Sequence, residues 1–449
     1  MRNRPNDRRS RTPKLLIVGA ALTALIAAPL TASAASLSGG SFSIKAQNRA
    51  EPKIRAVQGT WTATGGSGST TPVAPAPTPT ATPTAEPTTP VGTTNELRLT
   101  VNNQMPGCVA PQFNFTADPA GATIDWGDGT AIAPLNVTPH SYAKPGEYKL
   151  TVKGKVKSFG KVPQSAANCI RSVDYFGENL GVTATNYMFQ DADNMYKVVE
   201  PPKTVTSFVG MFKDAAFGGD ISSWDTSRIT SMERMFEGST FNGDLSRWNT
   251  SSVTDMSYMF SNAVSFNSPI GGWDVTKVAK VDHMFAGAST FNQDISAWKL
   301  SSATNFDGLF SGASTFNRDL PWDTSRVTSM NSVLAGASNF NGNISGWNTS
   351  KVTDLYRALY KAYSFNGNLS GWDVSSARDM TEMFSYTNSF NNGSLANWKP
   401  SKVLYFDRMF ELSVFNQNIS GWPVDSAVSW GAFADRIIDR TMIPYKFRF

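Results

Sequence analysis

Two histidines, two cysteines and a set of aspartates recurring in phase are the residues of this 449-residue chain whose types could do chemistry. His140 and His283 could each act as a base, yet neither has a nucleophile and an orienting acid beside it in the sequence, as a Ser-His-Asp site would need. His283 stands where other copies of one pattern hold Arg234 or Tyr258. Asp220, Asp244, Asp294 and Asp319 recur at corresponding places, which raises calcium as a ligand; calcium wants clustered carboxylate charge. Asn343, Asn368 and Asn418 take the same place in other copies and Pro269 takes it once, and a turn accepts Asp or Asn alike. The expectation is therefore turn acceptors, with no metal and no cofactor. No phosphate-cradling glycine loop or zinc-spaced cluster occurs, so the chain reads as non-enzymatic. Cys108 and Cys169 can form one disulfide, or lie apart as buried thiols; two cysteines cannot make a multi-cysteine framework.

The elements that would position these residues differ along the chain. Residues 1–34 read as a secretory signal, with Arg2, Arg4, Arg8, Arg9, Arg11 and Lys14, an apolar run from Leu15 to Leu30, and Ala32-Ser33-Ala34 as the cleavage site. The apolar run is shorter than the roughly 20 residues of a spanning helix, so no membrane span is expected after cleavage. Those six cations and Asp7 account for the whole formal charge of +5, leaving a nearly neutral mature chain that gives no support for nucleic acid as a partner. Residues 35–65 show no clear period and stay unassigned. Residues 66–95, with TPVAPAPTPTATPTAEPTTP, form a Pro/Thr/Ala-rich linker of polyproline character. Residues 441–449 are a tail with neither a hydrophobic anchor nor a sorting motif.

From 96 to 177 the chain turns to short alternating runs such as LRLTV, FNFTA, ATIDW and EYKLTV, which suit antiparallel strands. Between them DWGDGT places Gly127 and Gly129 where positive φ is wanted, with Asp125 and Asp128 able to bond their own turn. With HSYAKPGEYKLTV, residues 140–152, this stretch resembles the PKD type of immunoglobulin-like module. That resemblance implies a small all-β domain, short for a full sandwich, with Cys108 and Cys169 stapling its ends.

Beyond residue 186 one pattern returns every 24 to 26 residues. Its first ladder is Trp224, Trp248, Trp273, Trp298, Trp322, Trp347, Trp372, Trp398 and Trp422; its second is Phe217, Phe241, Phe266, Phe291, Phe316, Phe340, Phe365, Phe390 and Phe415. All but the first Phe are followed by Asn242, Asn267, Asn292, Asn317, Asn341, Asn366, Asn391 and Asn416, expected to satisfy backbone groups with their amides. A Met-Phe pair recurs from Met188 to Met409, drifting to Leu309-Phe310, Val333-Leu334 and Ala358-Leu359. Such a period means one small unit per repeat, whose apolar face only the next copy can cover. Within 253–263 the apolar residues fall at helical spacing, which predicts a helical turn with Thr254 as N-cap. The Phe-Asn-x-x-Ile-Ser-x-Trp part predicts a short strand. Strands pairing in parallel at about 4.8 Å would make roughly ten coils about 50 Å long.

The W-D/N-T-S-x-V-T-x-M-x-x-M-F-x-G-A-x-x-F-N-x-D/N-I-S-x pattern resembles the BspA-like bacterial surface-protein repeats, a divergent leucine-rich-repeat group, and covers 186–440. The resemblance implies an α/β repeat fold, a leucine-rich-repeat-like solenoid with a short parallel strand and a short helical turn per coil, in a secreted or cell-surface protein of adhesion. The residues between apolar positions vary freely and make the candidate binding surface: Arg234, Tyr258, His283, Tyr356, Arg357 and Arg408. The expected partner is an extracellular protein or glycan. The alternative is a surface-layer or matrix component that self-associates.

Overall fold

The strand-forming runs come first in the chain and build the sheet on which the repeats begin. The computed structural model describes residues 94–111, 114–117, 121–135, 140–434 and 439–449. The signal-like segment, the unassigned stretch and the Pro/Thr/Ala-rich linker lie outside them. Among the described residues eight strands form: β1 (Glu96–Asn102), β2 (Asn114–Ala117), β3 (Thr123–Asp125), β4 (Ala133–Pro134), β5 (Glu147–Lys153), β6 (Val156–Gly160), β7 (Ile170–Phe176) and β8 (Lys197–Val198), with a one-turn helix α1 (Gln164–Ala167) between β6 and β7. The main sheet runs β4-β3-β5-β1-β7-β8, and β2 pairs with β6 separately. Alternation decides the register. Leu97 and Leu99 of β1 oppose Val152 and Leu150 of antiparallel β5, and all four are buried. Cys108 and Cys169 form a disulfide just ahead of β7.

β8 adds to β7 in parallel, and this is where the repeats begin to contact the sheet. Asn194 donates to the carbonyls of Pro106 and Asn168, so it spans the two sides of the disulfide. From Ala184 onward, single residues one repeat apart bridge in parallel, from Ala184 to Lys280 and again from Asn305 to Ser429. Rings of successive copies stack: Trp273 on Trp298 at 6.3 Å, Phe291 on Phe316 at 5.9 Å and Phe260 on Phe285 at 5.8 Å between centroids. These side chains are essentially removed from water, and each such burial contributes about 2 to 3 kcal/mol.

The Met-Phe segment is not the helical turn that its spacing predicts. Met256, Tyr258, Phe260 and Asn262 donate N–H to the carbonyls of Lys280, Asp282, Met284 and Ala286 in the next copy, while Met259, Ser261 and Ala263 turn back to Met256, Tyr258 and Phe260. Every second N–H thus points along the stack. A helix would keep all of them to itself. Left-handed backbone at Tyr258 (φ 58°) and Asn262 (φ 56°) produces the alternation. Overlapping tight turns bring every third or fourth residue to one side, as a helix does, which is why the apolar spacing looked helical. Thr254 is no N-cap, since its hydroxyl donates to the Thr230 carbonyl of the preceding copy. Nor is the Phe-Asn-x-x-Ile-Ser-x-Trp part a strand. Its copies are joined by side chains, with the Asn292 Oδ1 accepting from the Asn317 N–H at 3.0 Å and the Trp298 indole donating to the Ile270 carbonyl at 3.1 Å.

The far end is closed by residues 440–449. Phe447 packs on Phe406, Trp430 and Phe433, and Lys446 caps the carbonyls of Asp425 and Ala427. No helix among the described residues is long and apolar enough to cross a membrane.

Candidate functional site

The ladder that joins the copies also dictates which side chains face outward. Each copy has a left-handed residue at the same register position, running Tyr187, Gly210, Arg234, Tyr258, His283, Gly308, Ser332, Arg357, Glu382, Arg408 and Ala432. A left-handed conformation costs a residue with a Cβ about 1 to 2 kcal/mol, and two copies show that glycine fits there. Five of the six sequence-nominated surface residues sit on this one column, and Tyr356 directly precedes it. A second left-handed column lies four residues further on, with Asp191, Asp214, Gly238, Asn262, Gly287, Gly312 and Gly336, then Lys361, Tyr386 and Leu412 in later copies.

The six residues fall into separate groups. Arg234 lies over the Tyr258 ring at 4.1 Å, and Tyr258 stacks flat on His283 at 4.6 Å, so these three form one continuous pile across three copies. Glu237 holds the Arg234 guanidinium at 2.7 Å. Burial pushes the Tyr258 hydroxyl above its ordinary pKa. Further along, Tyr356 and Arg357 form a second group, where Arg357 forks Glu382 of the next copy at 2.9 and 3.0 Å. Arg408 stands apart, 4.0 Å from Glu411. Sequence reasoning missed Glu382, Lys361 and Tyr386, because their neighbours come from adjacent copies. The one available signal was a large residue where other copies carry Gly.

The in-phase acids sit in turns. Asp220, Asp244 and Asp294 accept the N–H of Ser222, Ser246 and Ser296, as Asn343, Asn368 and Asn418 accept from Ser345, Ser370 and Ser420. Asp319 differs and takes the Asn343 N–H of the next copy. These backbone bonds hold the carboxyls of Asp220, Asp244 and Asp294 below their ordinary pKa.

The turn that carries Asp125, Gly127, Asp128 and Gly129 is a packed polar knot. Asp125 accepts from the Gly127 N–H, and Asp128 from the N–H and hydroxyl of Thr130. His140 Nε2 lies 2.8 Å from the other Asp128 oxygen, and its ring stacks on Trp126 at 4.6 Å. Tyr142 donates to the Trp126 carbonyl and lies flat on Tyr148. Gly127 is required, since a Cβ there would stand 2.2 Å from the Lys149 carbonyl oxygen. Burial works to raise the Asp128 carboxyl, but hydrogen bonds from Thr130 and His140 outweigh it and hold the pKa at about 2. The arrangement positions His140 by packing and a carboxylate.

Three matches to one family model, at residues 166–240, 206–321 and 320–422, cover more than half of the chain and coincide with the repeats. The chain belongs to the family described as Mycoplasma protein of unknown function, DUF285. This fits the BspA-like resemblance of the repeat pattern at the level of the repeat family. Neither a curated protein nor a solved structure matches the chain.

Proposed function

We propose that this chain is an exported, non-enzymatic binding or adhesion protein of the cell surface or extracellular space. In this reading 186–440 is a leucine-rich-repeat-like solenoid that presents its outer face to an extracellular protein or glycan, and 96–177 is a PKD-like module that carries it. The observation behind the reading is the contrast within each copy. Interior positions repeat Met, Phe and Trp, whereas the left-handed column runs through Tyr, Arg, His, Ser, Glu, Gly and Ala on an unchanging backbone. A row of large, rigidly presented Tyr and Arg side chains is what a protein-binding surface uses. The signal-like residues 1–34 and the linker 66–95 support export and display. The test is to apply the full chain to an array of glycans and matrix proteins. Retention on at least one class is expected, and uniform background across the array would sink the reading.

A self-associating matrix component is the second reading, favoured by the last copy. There the N–H groups of Trp430 and Ala432 stand where earlier copies donate to a following one, and among the described residues they have no acceptor. An unpaired edge of this kind can take another chain. Sedimentation of the full chain decides: ordered multimers growing with concentration favour the scaffold, and a constant monomer favours the binder.

A further inference from the structure

The second left-handed column changes character part-way along the chain. Gly287, Gly312 and Gly336 occupy it in three successive copies, at φ of 70°, 73° and 71°. The next two copies carry Lys361 and Tyr386 at φ of 55° and 61°. Glycine suits this backbone better, and Leu412 follows in the next copy, so what sets Lys361 and Tyr386 apart is their contacts. The first left-handed column holds Arg357 and Glu382 in the same two copies, which concentrates four such residues on one area.

These side chains make a rigid raft. The Lys361 ammonium lies over the Tyr360 ring at 5.0 Å and the Tyr386 ring at 5.4 Å, and the two rings meet edge to face at 5.7 Å. Arg357 lies over Tyr356 and Tyr360, with its charge taken up by Glu382. Lys361 is different, because no carboxylate among the described residues lies within ion-pair distance of it. Backbone pairing is closed to a ligand here, since the N–H groups of Arg357 and Lys361 already bond the next copy. Tyr360 already has two cations against its ring, which compete with a sugar for stacking there. What remains is one cation with no carboxylate partner, held against the rings of Tyr360 and Tyr386. Tyrosine and arginine packed this way are typical of the centres of protein interfaces, and partial desolvation strengthens a charge pair formed there.

We infer that Tyr360, Lys361 and Tyr386, buttressed by Tyr356 and Arg357, form a contact patch for a carboxylate carried on a partner protein, which pairs with Lys361. The inference rests on the binding reading above and specifies its partner chemistry.

Poly-L-glutamate on a sensor surface is the probe, with hyaluronate as a carboxylated glycan beside it and the full chain as analyte. Lys361→Asn removes the charge, and Tyr386→Gly removes one ring; both new residues tolerate the left-handed backbone. Retention on poly-L-glutamate is expected, weakening as salt rises and falling at least ten-fold in K361N. The melting temperature of both variants should equal or exceed that of the parent. Unchanged retention of K361N, no retention of the parent, capture by hyaluronate alone, or a lowered melting temperature in both variants would each overturn the patch. The wider reading is judged separately on the glycan and matrix-protein array. Retention there that K361N leaves intact removes the patch alone, whereas a blank array removes both.

Discussion

Eight of the nine in-phase tryptophans do something a phenylalanine could not. The indole N–H of Trp248, Trp273, Trp298, Trp322, Trp347, Trp372, Trp398 and Trp422 donates to an Ile or Leu carbonyl of the preceding copy, inside the core. Trp298→Phe keeps most of the apolar burial but removes one of the two bonds to the Ile270 carbonyl, which still accepts from the Trp273 N–H, so chemical denaturation should report a loss of about 0.5 to 1.5 kcal/mol. Trp298→Ala adds a cavity and should cost about 3 to 5 kcal/mol. An unchanged midpoint in Trp298→Phe would mean that the hydrogen bond contributes nothing. Asp128 makes a residue-scale prediction in pH. Its folded pKa of about 2 lies below the ordinary 3.8, so its contribution is full above pH 3.8 and is lost as pH falls toward 2. Melting curves of Asp128→Asn should therefore start lower at neutral pH and flatten relative to the parent between pH 4 and 2. Parallel curves would refute this.

At the scale of the element, the unit that repeats is a chain of tight turns alternating with donors to the next copy. Its signature is a pair of left-handed residues four positions apart in each copy. Gly312 shows the cost of losing that freedom: a Cβ would find only ordinary contact with Gly287 at 3.5 Å, so Gly312→Ala isolates the conformational term. A loss of about 1 to 2 kcal/mol in denaturant unfolding is expected. An unchanged midpoint would show that the turn relaxes to another conformation. Ladder asparagines and core aromatics were readable from spacing because they obey the period. The alternation of N–H directions was not, because a side-chain pattern with every third or fourth residue inside fits a helix and a chain of turns equally well. Only the φ values at Tyr258 and Asn262 separate them.

For the whole molecule, the sheet and the repeats meet beside the disulfide, where Asn194 ties the loop before Cys108 to the turn before Cys169. Replacing both cysteines by serine should cost about 2 to 4 kcal/mol, since the bond spans a separation of 61 residues. Hydrogen exchange should rise first in the sheet and around Asn194, and a rise confined to the last copies would contradict this placement. Taken alone, the sequence determined the period, the residues that turn inward, the strand-rich stretch before the repeats and the variable column between the apolar positions. These follow from burial, which depends on side-chain type and spacing along the chain. The tertiary structure alone decided the direction of each N–H, that Cys108 and Cys169 bond rather than lie apart, and the meetings of Arg234 with Tyr258 and Arg357 with Glu382. Those depend on backbone torsions and on neighbours a full repeat away, and each contact exists only once the next copy is in place.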